Sequence, residues 1–130
     1  MAVTFTPTLT LASTTTGTDA LSFSVTKDIT LGDNDVRLTK TFSPGAHGSS
    51  GGVKIFATNL GKSYIYVKNV HASSVIHLGA ANNTNTTSAT WMELAIGEFA
   101  FFSWAGYADI FALTASGTAT AGLEVTIFEA

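Results

Sequence analysis

The stretch GEFAFFSWAGYADIFAL, Gly97 to Leu113, holds six of the chain's fourteen aromatic residues: Phe99, Phe101, Phe102, Trp104, Tyr107 and Phe111. It is no membrane span. Glu98 and Asp109 bracket ten uncharged residues, against the ~20 that a crossing helix requires. Its alternation reads instead as two short strands. Phe99 to Trp104 forms the first, AGY reverses the chain, and Asp109 to Leu113 forms the second. In the first strand Phe99 and Phe101 share one face while Phe102 and Trp104 share the other. A half-exposed strand carries polar residues on its second face, and this one carries rings on both. The pattern predicts that a second layer of the same domain, or a neighbouring subunit, covers whichever face is left. Phe99, Phe101, Phe102, Trp104 and Tyr107 are therefore the candidate subunit interface.

The same two-residue period runs through the whole chain. VTFTPTLTL sets Val3, Phe5, Pro7, Leu9 and Leu11 on one side and threonines on the other. Pro7 cannot donate to a ladder, so this is read as an edge strand or an extended arm over residues 1–18. Val3, Phe5, Leu9 and Leu11 are its candidate contacts, an alternating segment suited to lying on a neighbour's sheet edge. ALSFSVTKDIT and DVRLTKTF repeat the alternation, and LGDND between them reads as a tight turn; a hairpin is expected. SPGAHGSSGG reads as a flexible loop. GVKIFAT, SYIYVKN, SVIHLGA, TWMELAI, EFAFFSW, ADIFALT and AGLEVTIFE then follow at short intervals. No window sustains a helical period. The expectation is an all-β chain: an antiparallel, jelly-roll-like β-sandwich of about nine or ten short strands over residues 19–130.

Composition bounds the function. The chain has 130 residues, no cysteine and a net charge of −3 with six basic residues. That excludes disulfides, thiolate metal sites and a thiol nucleophile. It leaves no basic stripe for nucleic acid. Charged residues make up 12% of the chain and threonine occurs 21 times, so the surface has little electrostatic protection against association. The opening MAVTFTPTLTLASTTTGT lacks a basic n-region and a continuous apolar run, so no secretory signal is expected.

No chemistry stands out. His71 and His77 lie too far apart along one strand to share a metal, and they read as strand-end histidines near solvent, with His47 in the loop. Asp33, Asn34 and Asp35 begin like a calcium loop, but Val36 and Arg37 follow where its pattern would continue differently. There is no nucleophile elbow, and Ser49 to Gly52 lacks the Lys-Ser/Thr of a phosphate loop. Glu93, Glu98 and Glu124 are carboxylates without a telling spacing. The sequons at Asn82 and Asn85 mark a polar, exposed segment. The reading is a non-enzymatic protein with no cofactor and no metal.

The second half carries a resemblance. GKSYIYVKNV, WMELAIGEFAFFSW and ADIFALTASGTATAGLEVTIFEA, in that order, resemble small β-sandwich virion proteins of tailed bacteriophages, most of all capsid decoration (cement) proteins. The likeness spans roughly residues 53–130 and centres on the L-x-x-G-E-F-A turn at Leu94 to Ala100; Ile96 stands where the pattern has Pro. The resemblance implies a structural subunit, commonly a homotrimer, that binds the major capsid protein on the outer capsid surface after synthesis in the host cytoplasm. Neither nucleic acid nor membrane is expected as a partner. The competing expectation is a receptor- or carbohydrate-binding accessory subunit of a phage tail or fibre, with Trp91, Trp104 and Tyr107 stacking on sugar rings. A third is a β-domain of a larger assembly unrelated to a virion.

Overall fold

The computed structural model describes residues 3–12, 22–31, 38–42, 45–46, 52–80, 90–114 and 122–130. Every regular element in them is a strand, apart from one 3-10 turn at Thr58–Leu60. The chain divides into two compact units, Met1–Asp35 with Ala130, and Val36–Glu129.

The first unit is a two-stranded antiparallel ribbon with a break in each strand. β1 (Val3–Phe5) pairs with β4 (Ile29–Leu31), and β2 (Thr8–Ala12) pairs with β3 (Ser22–Thr26). The ladder breaks where Pro7 has no N–H to give. There the Lys27 amide donates to the Pro7 carbonyl at 3.4 Å, and the Thr6 hydroxyl donates to Asp28 Oδ1 at 2.6 Å. Burial divides the ribbon. Ile29 and Leu31 are buried and Phe5 is half-buried, whereas every residue of β2 and β3 is exposed.

The second unit is a β-sandwich. One sheet has the order β11 (Phe99–Trp104), β8 (Ser63–Asn69), β13 (Leu123–Glu129), β5 (Leu38–Phe42), antiparallel throughout. The other runs β10 (Thr90–Leu94), β9 (Ile76–Gly79), β12 (Ile110–Thr114), after which the free side of β12 is shared by β7 (Val53–Phe56) and the two-residue β6 (Gly45–Ala46). The inward residues of both sheets interdigitate as one core. Ile65, Val67, Leu123, Val125 and Ile127 come from the first sheet; Ile55, Phe56, Ile76, Leu78, Leu94, Ile110 and Ala112 come from the second. β8 buries Ser63, Ile65, Val67 and Asn69 and half-exposes the residues between them, so its tyrosines and Lys68 stand on the outer face.

All seven strands expected after residue 52 are present. The expected all-β antiparallel sandwich is present, but its neighbours are not all as expected. ALSFSVTKDIT and DVRLTKTF do not form a hairpin: the first pairs back onto residues 8–12, and the second joins β13. The ribbon therefore takes in a strand that the alternation alone assigned to the sandwich. Within this antiparallel framework one short pairing is parallel, Leu113 and Thr114 with Gly45 and Ala46. The LGDND turn lies almost entirely outside the described residues. Outside them too lie His47, both sequons and all but Gly45, Ala46 and Gly52 of the SPGAHGSSGG loop.

Candidate functional site

Register builds an aromatic patch on the outer face of the β11–β8–β13 sheet. In antiparallel pairs, opposed residues share a face. Phe99 opposes Lys68, Phe101 opposes Tyr66 and Ser103 opposes Tyr64. On the other side of β8, Phe128 opposes Tyr64, Thr126 opposes Tyr66 and Glu124 opposes Lys68. Tyr64 stacks on Phe101 with ring centroids 6.2 Å apart and planes 10° from parallel; Tyr66 tilts against Phe99 at the same distance. Phe99 remains 62% exposed and Phe101 40%. Lys68 and Glu124, opposed in register, leave the patch without net charge.

The five expected interface residues thus part company. Phe99 and Phe101 lie on this open face. Phe102 and Trp104 point the other way and pack on the core, in one row with Ala100. Trp91, on the edge strand of the opposite sheet, meets both: it stacks on Trp104 at 5.4 Å and 11°, and meets Phe102 edge-on at 5.7 Å. These three rings close one rim of the sandwich. Tyr107 stands apart, 92% exposed in the loop after β11. That loop is fixed by Gly106 at φ +80°, where a Cβ would overlap the Gly61 carbonyl, and by a 3.0 Å hydrogen bond from Trp104 Nε1 to the Ala108 carbonyl. A shallow concavity of about 360 Å³ lies there, lined by Ser103, Trp104, Ala105, Tyr107 and Ala108.

The ribbon carries a second apolar face. Leu9 opposes Val25 and Leu11 opposes Phe23, so these four side chains share one side, each between 46% and 49% exposed. The other side is Thr and Ser, with the Thr10 and Ser24 hydroxyls 3.5 Å apart. Of the expected arm contacts, Leu9 and Leu11 are on the exposed face and Phe5 is half-buried in the other half of the ribbon; the Val3 side chain lies outside the described residues. Phe23, Val25, Tyr64, Tyr66 and Phe128 were not singled out by sequence. Their alternation was readable, but the partner strand decides which face stays open.

Several of the described titratable groups bond to the fold around them. His71 is buried, correcting the expectation of a solvent-side histidine. Its Nδ1 accepts hydrogen bonds from the Ser73 and Ser74 amides at 3.1 and 3.0 Å, and its ring fills the space a Cβ on Gly122 would need. Asn69 beside it donates to the Ser74 and Leu94 carbonyls and accepts from the His71 amide, all at 2.9 Å. His77 faces Glu93 across the β9–β10 pair, Nδ1 to Oε2 3.6 Å. Glu98 is tied into its own turn: its amide donates to the Ala95 carbonyl, its carboxylate accepts from the Ala95 amide at 2.7 Å, and Gly97 takes φ +82°. Asp109 accepts from the Thr58 amide at 2.9 Å and pairs with Lys54 at 2.6 Å. The hydrogen bond from Lys54 foremost, then that from Thr58, holds its carboxyl below the ordinary value. Among the described residues no cluster of three or more His, Asp or Glu is placed to hold a metal. Of the three carboxylates weighed for acid–base chemistry, Glu93 faces His77, Glu98 closes its own turn and Glu124 opposes Lys68 in register. No protein-family model matches the chain, and neither curated proteins nor solved structures give a match.

Proposed function

We propose that this chain is a non-enzymatic assembly subunit of a bacteriophage virion, a capsid decoration protein that binds the outer surface of the shell and stabilises it. The observation that carries the reading is the pair of exposed apolar faces on a chain with so few charges: the Leu9/Leu11/Phe23/Val25 side of the ribbon and the Phe99/Phe101 side of the sandwich. Monomers rarely keep such patches in water unless a partner covers them. The resemblance of residues 53–130 to capsid decoration proteins supplies the virion context, the major capsid protein as partner and the homotrimeric state. A protein that binds only assembled shell stabilises that shell by mass action, so many modest contacts suffice.

The test is direct. Purified chain mixed with undecorated capsids, unexpanded and expanded, should co-sediment saturably with at least one of them. Absence of binding to every form would overturn the proposal. The carbohydrate reading rests on one specific observation, Tyr107 almost fully exposed beside the concavity at Trp104. It requires glycan binding that Tyr107→Ala abolishes.

A further inference from the structure

The ribbon's apolar face and the sandwich's aromatic face have the same construction. Each is one side of a pleated antiparallel pair, with opposed side chains about 5 Å apart across the pair and successive rows about 7 Å apart along it. On the ribbon the rows are Leu9/Val25 and Leu11/Phe23. On the sheet they are Phe101/Tyr66 and Ser103/Tyr64, with Phe99 completing the row beside Lys68. Two pleated faces of equal period pack with their side chains interleaved and their backbones about 10 Å apart. A two-stranded ribbon is marginal by itself and needs its apolar side covered.

We infer that the ribbon of one copy packs its Leu9/Leu11/Phe23/Val25 face onto the Phe99/Phe101/Tyr64/Tyr66 face of a second copy, so that subunits associate by giving a ribbon and receiving one. Area selects this occupant. Each face exposes apolar surface on the order of 300 Å². Packing ribbon on ribbon, or sheet on sheet, covers one face and leaves the other wet. Giving and receiving covers both; where two copies exchange ribbons reciprocally, that is on the order of 600 Å² of apolar surface per partner before any polar rim is counted, approaching the about 800 Å² per partner of a specific interface. Charge agrees. Residues 8–12 and 22–26 carry no ionisable side chain, and among the described residues the sheet face bears one charge of each sign, Lys68 and Glu124, opposed in register. The Thr/Ser side of the ribbon stays in solvent, where its hydroxyls belong. This inference deepens the self-association within the proposed function, but it needs no shell.

The absence of native cysteine makes the test clean. Leu11→Cys and Phe101→Cys chains are co-expressed, purified and treated with a short bismaleimide, because faces about 10 Å apart exceed the reach of a disulfide. The expected product has twice the monomer mass and contains one chain of each variant. Thr10→Cys, on the ribbon's polar side, is paired with Phe101→Cys to set the background, and Leu11→Asp should shift the otherwise wild-type chain to monomer in sedimentation. Four results overturn the inference: a wild-type chain that is monomeric in solution, Leu11→Cys linking to itself, Phe101→Cys linking to itself, or a double variant whose two thiols are joined within one chain. Capsid binding by a monomer would leave the decoration role standing while this inference falls. Cross-linking without capsid binding would do the reverse.

Discussion

Strand β8 and strand β2 carry the same message in sequence and meet opposite fates. SYIYVKN alternates apolar and polar-tipped residues and is buried at every second position. TLTLA alternates as strictly and is exposed throughout. The difference is the number of layers. β8 lies between two strands and beneath a second sheet, so Ile65 and Val67 are fully enclosed. β2 has one partner, and its leucines keep about half their surface in water. Period two specifies pairing and the face a side chain takes; a second layer decides whether that face is dry.

The largest expected effect separates these two strands. Ile65→Ala should cost about 3 to 4 kcal/mol, the transfer of the lost methyl groups plus the cavity they leave. Leu11→Ala should leave sandwich stability within about 0.5 kcal/mol. Urea unfolding followed by tryptophan fluorescence makes the contrast specific, because both tryptophans, Trp91 and Trp104, lie in the sandwich unit. Equal losses for the two variants would mean that the ribbon's stability is bound to the sandwich's.

A polar version of the contrast comes next. Asn69→Ala removes three buried hydrogen bonds, to the Ser74 and Leu94 carbonyls and from the His71 amide, a loss of about 3 kcal/mol or more. Thr6→Val removes one exposed bond to Asp28 at the ribbon's break, worth about 0.5 kcal/mol. The same urea titration reads the first. Faster amide exchange around Lys27 reads the second.

What sequence made legible follows from the same physics. The sandwich strands were readable because each alternating run ends at turn residues, as at Gly97–Glu98 and Ala105–Tyr107. Partners were not readable: SFSVT suits a hairpin through LGDND as well as it suits TLTLA, and periodicity scores both alike. His71 misled because its burial depends on a residue far along the chain, Gly122, which leaves room for its ring. On the interface, alternation separated Phe99 and Phe101 from Phe102 and Trp104 correctly. That Trp91 would take the inner pair depends on two sheet edges meeting, which no local pattern encodes.

The loop after β11 offers a smaller break of the comparison, since its turn depends on a left-handed backbone at Gly106, whereas the ribbon's break is bridged by the Lys27–Pro7 and Thr6–Asp28 hydrogen bonds. Gly106→Ala must adopt φ +80° with a Cβ against the Gly61 carbonyl. The expected cost is about 2 to 3 kcal/mol, read as a lower urea midpoint with an unchanged slope. Glycan or capsid binding that depends on Tyr107 would weaken with it.

The smallest effect is electrostatic and has a definite sign. Asp109 is exposed enough for solvent to screen its pair with Lys54, and its carboxyl titrates below the ordinary value because Lys54 and the Thr58 amide favour the ionised form. The unfolded chain therefore takes up this proton at a higher pH than the folded one. The contribution is complete above the ordinary carboxylate pKa of about 4 and disappears as pH falls through the lower, folded value. Asp109→Asn keeps an acceptor for the Thr58 amide and loses the charge. Its unfolding midpoint should fall slightly behind wild type at pH 6 and converge on it as acidification protonates the folded carboxyl, with the gap closing as salt is added. A gap that widens on acidification would show that the Lys54 pair does not lower this carboxyl in solution.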